Sequence, residues 1–248
     1  MKGLTQARSE AFFRSFTIQG SWNYRTMIGS GFGFAILPVL RLLFRDDEEG
    51  YRAALQRHAE HFNAHPYLAG LALGAVCKME ESGRSAEEVR RFKTAVRGPL
   101  GSLGDTLIWV GWRPAVVLLA ILLALAGVPP GLTVILFLVV YNLGHLALRV
   151  WGFRVGLEHG SQVGDSLRFL ALPRQADRIA ASGVFLLGGM AGMAGGIALE
   201  QGWWGVLWVC LAGAGLWIGS VLAQRSWRWS LWGMSLVVVA LFIFGWFG

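Results

Sequence analysis

Residues 131–151 read GLTVILFLVVYNLGHLALRVW, and Arg149 is the only charge among them. A helix needs about 20 mainly apolar residues to cross a bilayer core of roughly 30 Å. This stretch meets that length, and its reading decides the fold class: the chain is expected to be an all-α integral membrane protein. Four more apolar runs lie around it, near 112–128, 179–199, 203–223 and 229–248. About five membrane-crossing helices are therefore expected after residue 111.

The connections between the runs set an expected topology. VPPG (128–131) and EQG (200–202) carry no Lys or Arg. The stretch 154–178 carries Arg154, Arg168, Arg174 and Arg178, and the stretch 224–230 carries Arg225 and Arg228. Cytoplasmic loops are enriched in Lys and Arg, so the basic connections belong inside, on the side of Arg113. No apolar core of signal-peptide length occurs in the first 25 residues. The N-terminus is expected in the cytoplasm and, after five crossings, the C-terminus outside.

Composition agrees with a membrane chain. It is 54% hydrophobic and only 15% charged, with 34 Gly and 12 Trp in 248 residues and a mean hydropathy of +0.51. Soluble domains carry about 25% charged residues. The net charge of +7 would raise nucleic acid as a partner in a soluble chain. Here the basic residues lie between apolar runs, so membrane lipid, not nucleic acid, is the expected contact. Cys77 and Cys210 both sit in apolar stretches without companions at metal-ligand spacing, and read as small buried hydrophobes.

Residues 1–111 have a different grain from 112–248, and the chain divides there into a cytoplasmic or interfacial part and a transmembrane bundle. Phe12, Phe13 and Phe16 recur at helical spacing in an N-terminal helix suited to a membrane surface or a partner subunit. Three glycine-rich apolar segments follow, at 27–40 (with Pro38), 65–77 and 97–109. Each is too short to cross, which predicts re-entrant or broken helices. Amphipathic helices are expected between them at 49–62 and 85–97. The second opens on a capping box, Ser85 with Glu88. Later in the chain Gly188, Gly192 and Gly196 repeat every four residues, a spacing that lets helices approach closely.

Several of these stretches carry a resemblance in order along the chain. They are RSFTIQGSWNYRTMIGSGFGFAILPVL (14–40), RHAEHFNAHPYLAGLALGAVCKMEE (57–81), RGPLGSLGDTLIWVGWRP (97–114) and, more weakly, YNLGHLALRVWGFRVGLEHG (141–160). Together they resemble the IID component of mannose/fructose/sorbose-type sugar phosphotransferase systems. The chain departs from that pattern at Thr106, at Gly144-His145-Leu146 and in a shorter section after 160. The resemblance implies a non-phosphorylated permease subunit that pairs with a IIC subunit to conduct a hexose-type sugar. IIA and IIB components would pass phosphate to that sugar. No cofactor is implied. The alternative is a diverged scaffold or regulatory membrane subunit that does not transport.

A sugar site needs fixed hydrogen-bonding groups beside an aromatic face, and polar groups at membrane depth are functional candidates. Asn63, His65, Glu80, Asp105, Trp109 and Arg113 lie in or at the ends of the short segments and form the candidate substrate-binding set. Each also has a local reading. His65 and Asp105 suit helix caps, Glu80 suits a water-facing position, and Arg113 suits an anchor at the helix end. His58, His61 and His65 invite a metal reading, but no Asp or Cys completes a set, so no metal is expected. His145, inside a span, is placed to pair with Asn142 or Arg149.

Overall fold

The computed structural model describes residues 2–163, 172–200 and 202–207, with positions 210 and 214. The described chain is helical. Its only strand-like pairings are isolated bridges from Met27 to Asn23 and to Phe62. In chain order the helices are α1 (Lys2–Arg14), α2 (Gly29–Leu43), α3 (Glu48–Ala59), α4 (Ala69–Glu81), α5 (Ala86–Gly104), α6 (Arg113–Leu125), α7 (Pro130–His159) and α8 (Leu172–Leu199). A π-helical stretch, Asp105–Trp112, joins α5 to α6, and a 3₁₀ turn, Ser15–Thr17, ends α1. The chain forms two compact units, Met1–Leu186 and Leu187–Gly248.

The amphipathic expectations correspond to α3 and α5. Asp47 caps α3 by accepting from the Gly50 amide, and Ser85 and Glu88 close a reciprocal capping box on α5. Each cap satisfies amide donors that a helix start leaves without partners. The short segments behave differently from one another. Segments 27–40 and 65–77 contribute core helices: α4 has eleven of its thirteen residues buried, and α2 buries Phe32, Ile36, Val39 and Leu40 completely. Segment 97–109 is not a break. It runs inside one continuous helix, Ala86–Leu125, 40 residues long. Pro99 removes only one amide donor, so the ladder resumes around it. The wider turns between Asp105 and Trp112 then carry the chain directly into α6.

Two described helices are long and apolar enough to cross a membrane, Ala86–Leu125 and Pro130–Gln162. They hold the first two of the five expected runs. The run 179–199 falls in α8, whose shorter apolar part is Phe185–Leu199. Most of the runs 203–223 and 229–248 lies outside the described residues.

The core of the first unit rests on a glycine seam between α4 and α7. A Cβ on Gly74 would lie 2.2 Å from the Phe153 carbonyl oxygen, and one on Gly156 would lie 2.2 Å from that of Leu71. Only glycine lets two helix backbones approach this closely. At Gly188, Gly192 and Gly196 an added Cβ meets no described atom within 4 Å.

Candidate functional site

The candidate residues separate into two clusters. The first is ionic and structural. Glu80 on α4 is buried with both oxygens engaged. Arg57 of α3 donates through Nε (3.0 Å) and Nη2 (2.6 Å), and His58 Nε2 lies 2.9 Å from Glu80 Oε1. Lys93 of α5 reaches into the same place and donates to the carbonyls of Arg57 (2.8 Å) and His58 (3.2 Å) at the end of α3. Three helices are thus held by one carboxylate and two cations.

The protonation states follow from burial and charge. Burial opposes ionisation of Glu80, but hydrogen bonds from His58 and Arg57 outweigh it and hold the carboxyl below its ordinary value. Burial drives His58 the other way for its cation, from 6.5 down to about 4, against the pull of Glu80. Arg57 and Lys93 already supply positive charge here, so His58 is neutral and donates Nε2–H to Glu80. On the next residue of α4, Glu81 pairs with Arg8 of α1 through Arg8 Nε at 2.8 Å and through Nη2.

The second cluster is aromatic and polar, and it gathers where the π stretch meets α7 and the turn before α4. His65 is buried, and its Nδ1 accepts from the Tyr67 amide at 3.2 Å. Its ring stands 5.5 Å from that of Trp109 and 5.1 Å from that of Tyr67. Trp109 is 43% exposed, and the Arg113 guanidinium lies 5.2 Å over its indole. His65, Trp109 and Arg113 therefore form one run of ring and guanidinium contacts, buried at His65 and exposed at Trp109 and Arg113. Asp105 is exposed at the start of the π stretch, next to Gly104, on which His65 rests. Asn63 is exposed two residues before His65, whereas Glu80 stands apart in the ionic cluster.

The remaining members of this cluster were not in the candidate set. Tyr67 and Tyr141 hydroxyls lie 3.0 Å apart. The His145 ring stacks on Tyr67 with centroids 4.7 Å apart, and His145 Nε2 lies 3.0 Å from Asn142 Oδ1. Of the two pairings expected for His145, Asn142 is the one formed. Arg149 sits between the rings of Phe16 (4.8 Å) and Tyr67 (5.0 Å). Trp112 donates to the Tyr141 carbonyl at 3.4 Å and lies against Gly144, where a Cβ would be 2.4 Å from the indole. The available signal was the i, i+4, i+8 spacing of Tyr141, His145 and Arg149 on one face of an apolar run.

The three candidate metal-binding histidines have separate partners. His58 is bound to Glu80, His61 Nδ1 accepts from Arg97 at 3.2 Å, and His65 stands against Tyr67 and Trp109.

Comparison with known proteins places this geometry. The family model for the PTS system mannose/fructose/sorbose family IID component matches residues 4–201. The chain belongs to that IID family. It is 31% identical over 195 residues to the mannose-specific EIID component of Escherichia coli, covering 76% of this chain and 68% of the relative. It is 27% identical over 184 residues to the fructose permease IID component of Bacillus subtilis, covering 72% and 66%. Among solved structures it is similar to a chain of the mannose transporter ManYZ in complex with a microcin. That likeness has a TM-score of 0.59 at 25% identity and covers 97% of this chain and 96% of that one. A second structure, described as a membrane protein, gives a TM-score of 0.73 at 25% identity, with 99% and 98% covered. The IID family match takes in all four stretches that carried the resemblance and both clusters, from Arg8 to Arg149.

Proposed function

We propose that this chain is the IID permease subunit of a mannose-type phosphotransferase system. With a IIC subunit it forms the path for a hexose-type sugar across the bacterial cytoplasmic membrane, coupled to phosphorylation by IIA and IIB. The chain itself is not phosphorylated and does no catalysis. The observation that carries this reading is the family match across 4–201, in a chain with two helices able to span a membrane. The similarity to a chain of ManYZ supports it.

In this reading His65, Asp105, Trp109 and Arg113, with Asn63 beside them, are this chain's contribution to the sugar path. An indole face next to polar groups is the usual chemistry for holding a pyranose ring. Glu80 serves instead to hold α3, α4 and α5 together. Residues 1–111 form the cytoplasmic or interfacial part and 112–248 the transmembrane part, with the N-terminus inside and the C-terminus outside.

The test is sugar uptake into membrane vesicles that contain this chain and its cognate IIC, with IIA, IIB and a phosphate donor supplied inside. Sugar phosphate should accumulate only when both membrane subunits are present. Assembly with IIC but no accumulation would identify a scaffold or regulatory subunit.

A further inference from the structure

We infer that the tip of the α1–α2 hairpin, residues 18–28, is seated in the headgroup layer of the bilayer and held there by Trp22 and Tyr24. The inference rests on α7 crossing the membrane, and not on the sugar or on the IIC pairing.

The level of the tip follows from α7. Arg149 is the only charge among residues 131–151. From Pro130 to Arg149 the helix is about 30 Å long, at about 1.5 Å per residue, which matches the hydrocarbon thickness of a bilayer. Arg149 therefore marks one edge of that layer. α4 runs beside α7 in the same direction, with Gly70 near the Arg149 carbonyl and Gly160 near Lys78. α1 runs the opposite way. Arg8 pairs with Glu81 at the far end of α4, Phe12 lies 5.4 Å from Phe153, and the Phe16 ring lies 4.8 Å from the Arg149 guanidinium. α2 then returns along α1, with Phe34 under the Arg14 guanidinium at 4.9 Å and Leu42 beside Gly3. The hairpin thus stands with its tip at the edge of the hydrocarbon.

The tip is a built loop. Asn23 Oδ1 accepts from the amides of Arg25 and Thr26, both at 3.0 Å. Its Nδ2 donates to the Ser21 carbonyl (3.1 Å) and the Thr26 hydroxyl (2.8 Å). Met27 is held in the left-handed region, at a φ of 54°, where side chains are disfavoured. The amides of Ile28 and Phe62 donate to the carbonyls of Phe62 and Thr26, tying the loop to the chain after α3. This ordered frame holds two large rings out of the core. Trp22 is 46% and Tyr24 85% exposed, and their centroids lie 4.8 Å apart. Phe13, Phe16 and Phe34, at the same end of the hairpin, are exposed as well.

The mixture of groups says what covers the tip. Trp and Tyr have an apolar body and a polar handle, and they gather where acyl chains meet headgroups. Gln19, Ser21 and Arg25 are exposed in the same loop. In hydrocarbon they would lose their water without replacement, whereas in the headgroup layer Arg25 meets lipid phosphate. The IIC subunit is the competing occupant.

The experiment places spin labels on single cysteines in a Cys210→Ser background, in nanodiscs that contain anionic lipid. Each label is read by its collisions with oxygen, which concentrates in hydrocarbon, and with a water-soluble nickel chelate. Val139→Cys on α7 and Arg52→Cys on α3, both at exposed positions, give the hydrocarbon and aqueous values. Arg25→Cys reports the tip. Its oxygen-to-nickel ratio should fall between the two and stay there when IIC is added. Replacing Trp22 and Tyr24 together by serine should shift that ratio to the aqueous value, with the melting temperature in detergent unchanged. An aqueous ratio at Arg25→Cys with both aromatics present, shielding from both reagents once IIC binds, or no shift on removing the aromatics would each overturn the inference. An aqueous value at Val139→Cys would overturn the crossing by α7 on which it rests.

Discussion

Gly104 and His65 touch so closely that a Cβ on Gly104 would lie 2.2 Å from the His65 Cβ. This contact sets His65 at the start of the π stretch and within reach of the Trp109 indole. Glycine is used here for close approach, and a helix interior gives it up at a cost of about 1 kcal/mol relative to alanine.

Gly104→Val should therefore destabilise the protein, since overpacking costs about 1–3 kcal/mol and the obstacle is a buried ring. Gly101 provides the control. It lies in the same helix, and an added Cβ there meets nothing within 4 Å. Gly101→Ala should raise the melting temperature in detergent, and Gly104→Val should lower it. Equal effects at the two positions would remove the His65 contact as the cause.

Glu80→Gln should be far more damaging than its small change in shape. It leaves Arg57 buried without a counter-charge, a loss of about 3–5 kcal/mol. Thermal unfolding of the isolated chain measures it. If Glu80 instead holds the sugar, Glu80→Gln will unfold like wild type and lose affinity only.

Acid should loosen the same cluster through His58. Its folded value is about 4 against 6.5 when free, so the unfolded chain takes up a proton first. Stability is full above about pH 6.5 and falls as the pH drops toward 4, with a limiting slope of about 1.4 kcal/mol per pH unit. Glu80, held below its ordinary value, adds a further loss at lower pH as it gains a proton. His58→Gln keeps an N–H toward Glu80 and should flatten the melting-temperature profile between pH 6.5 and 4.5. An unchanged profile would place the acid sensitivity elsewhere.

Sugar affinity should depend on the exposed polar residues beside His65. If Asp105 accepts from a sugar hydroxyl, Asp105→Asn should weaken binding by about 1–3 kcal/mol, roughly ten- to a hundredfold. If it only caps a helix turn, asparagine serves nearly as well. Isothermal binding to the purified complex decides between them, with Asn63→Ala measured alongside. Wild-type affinity in both variants removes these two residues from the site.

The expected topology places Ser226 inside and Gln201 outside. In a Cys210→Ser background, since Cys210 is exposed and Cys77 buried, Ser226→Cys should react only with a cytoplasmic thiol reagent. Gln201→Cys should react only with an external one. The reverse pattern would invert the five-crossing arrangement.

The local physics of this protein was written in its sequence. Run length marked 112–128 and 131–151 as spans, because bilayer thickness is a count of residues. The Ser85–Glu88 capping box and the amphipathic pattern of 85–97 marked α5, because caps and helical periodicity act over a few positions. The ordered motifs from 14 to 160 pointed to the IID family for the same reason. What the sequence left open was contact at long range. Gly and Pro at 97–109 look the same whether a helix breaks or continues, and only the packing of Gly104 on His65 and of Trp112 on Gly144 accompanies the continuous helix. Glu80 reads alike as sugar ligand or water-facing residue, and neither reading shows that α3 buries it with Arg57 at 2.6 Å. Tyr67 and Tyr141 are 74 residues apart, and no periodicity links them. Their meeting, and that of Arg149 with Ser15, was decided by the tertiary structure, through the Gly74–Gly156 seam that brings α4 and α7 close enough for those side chains to touch.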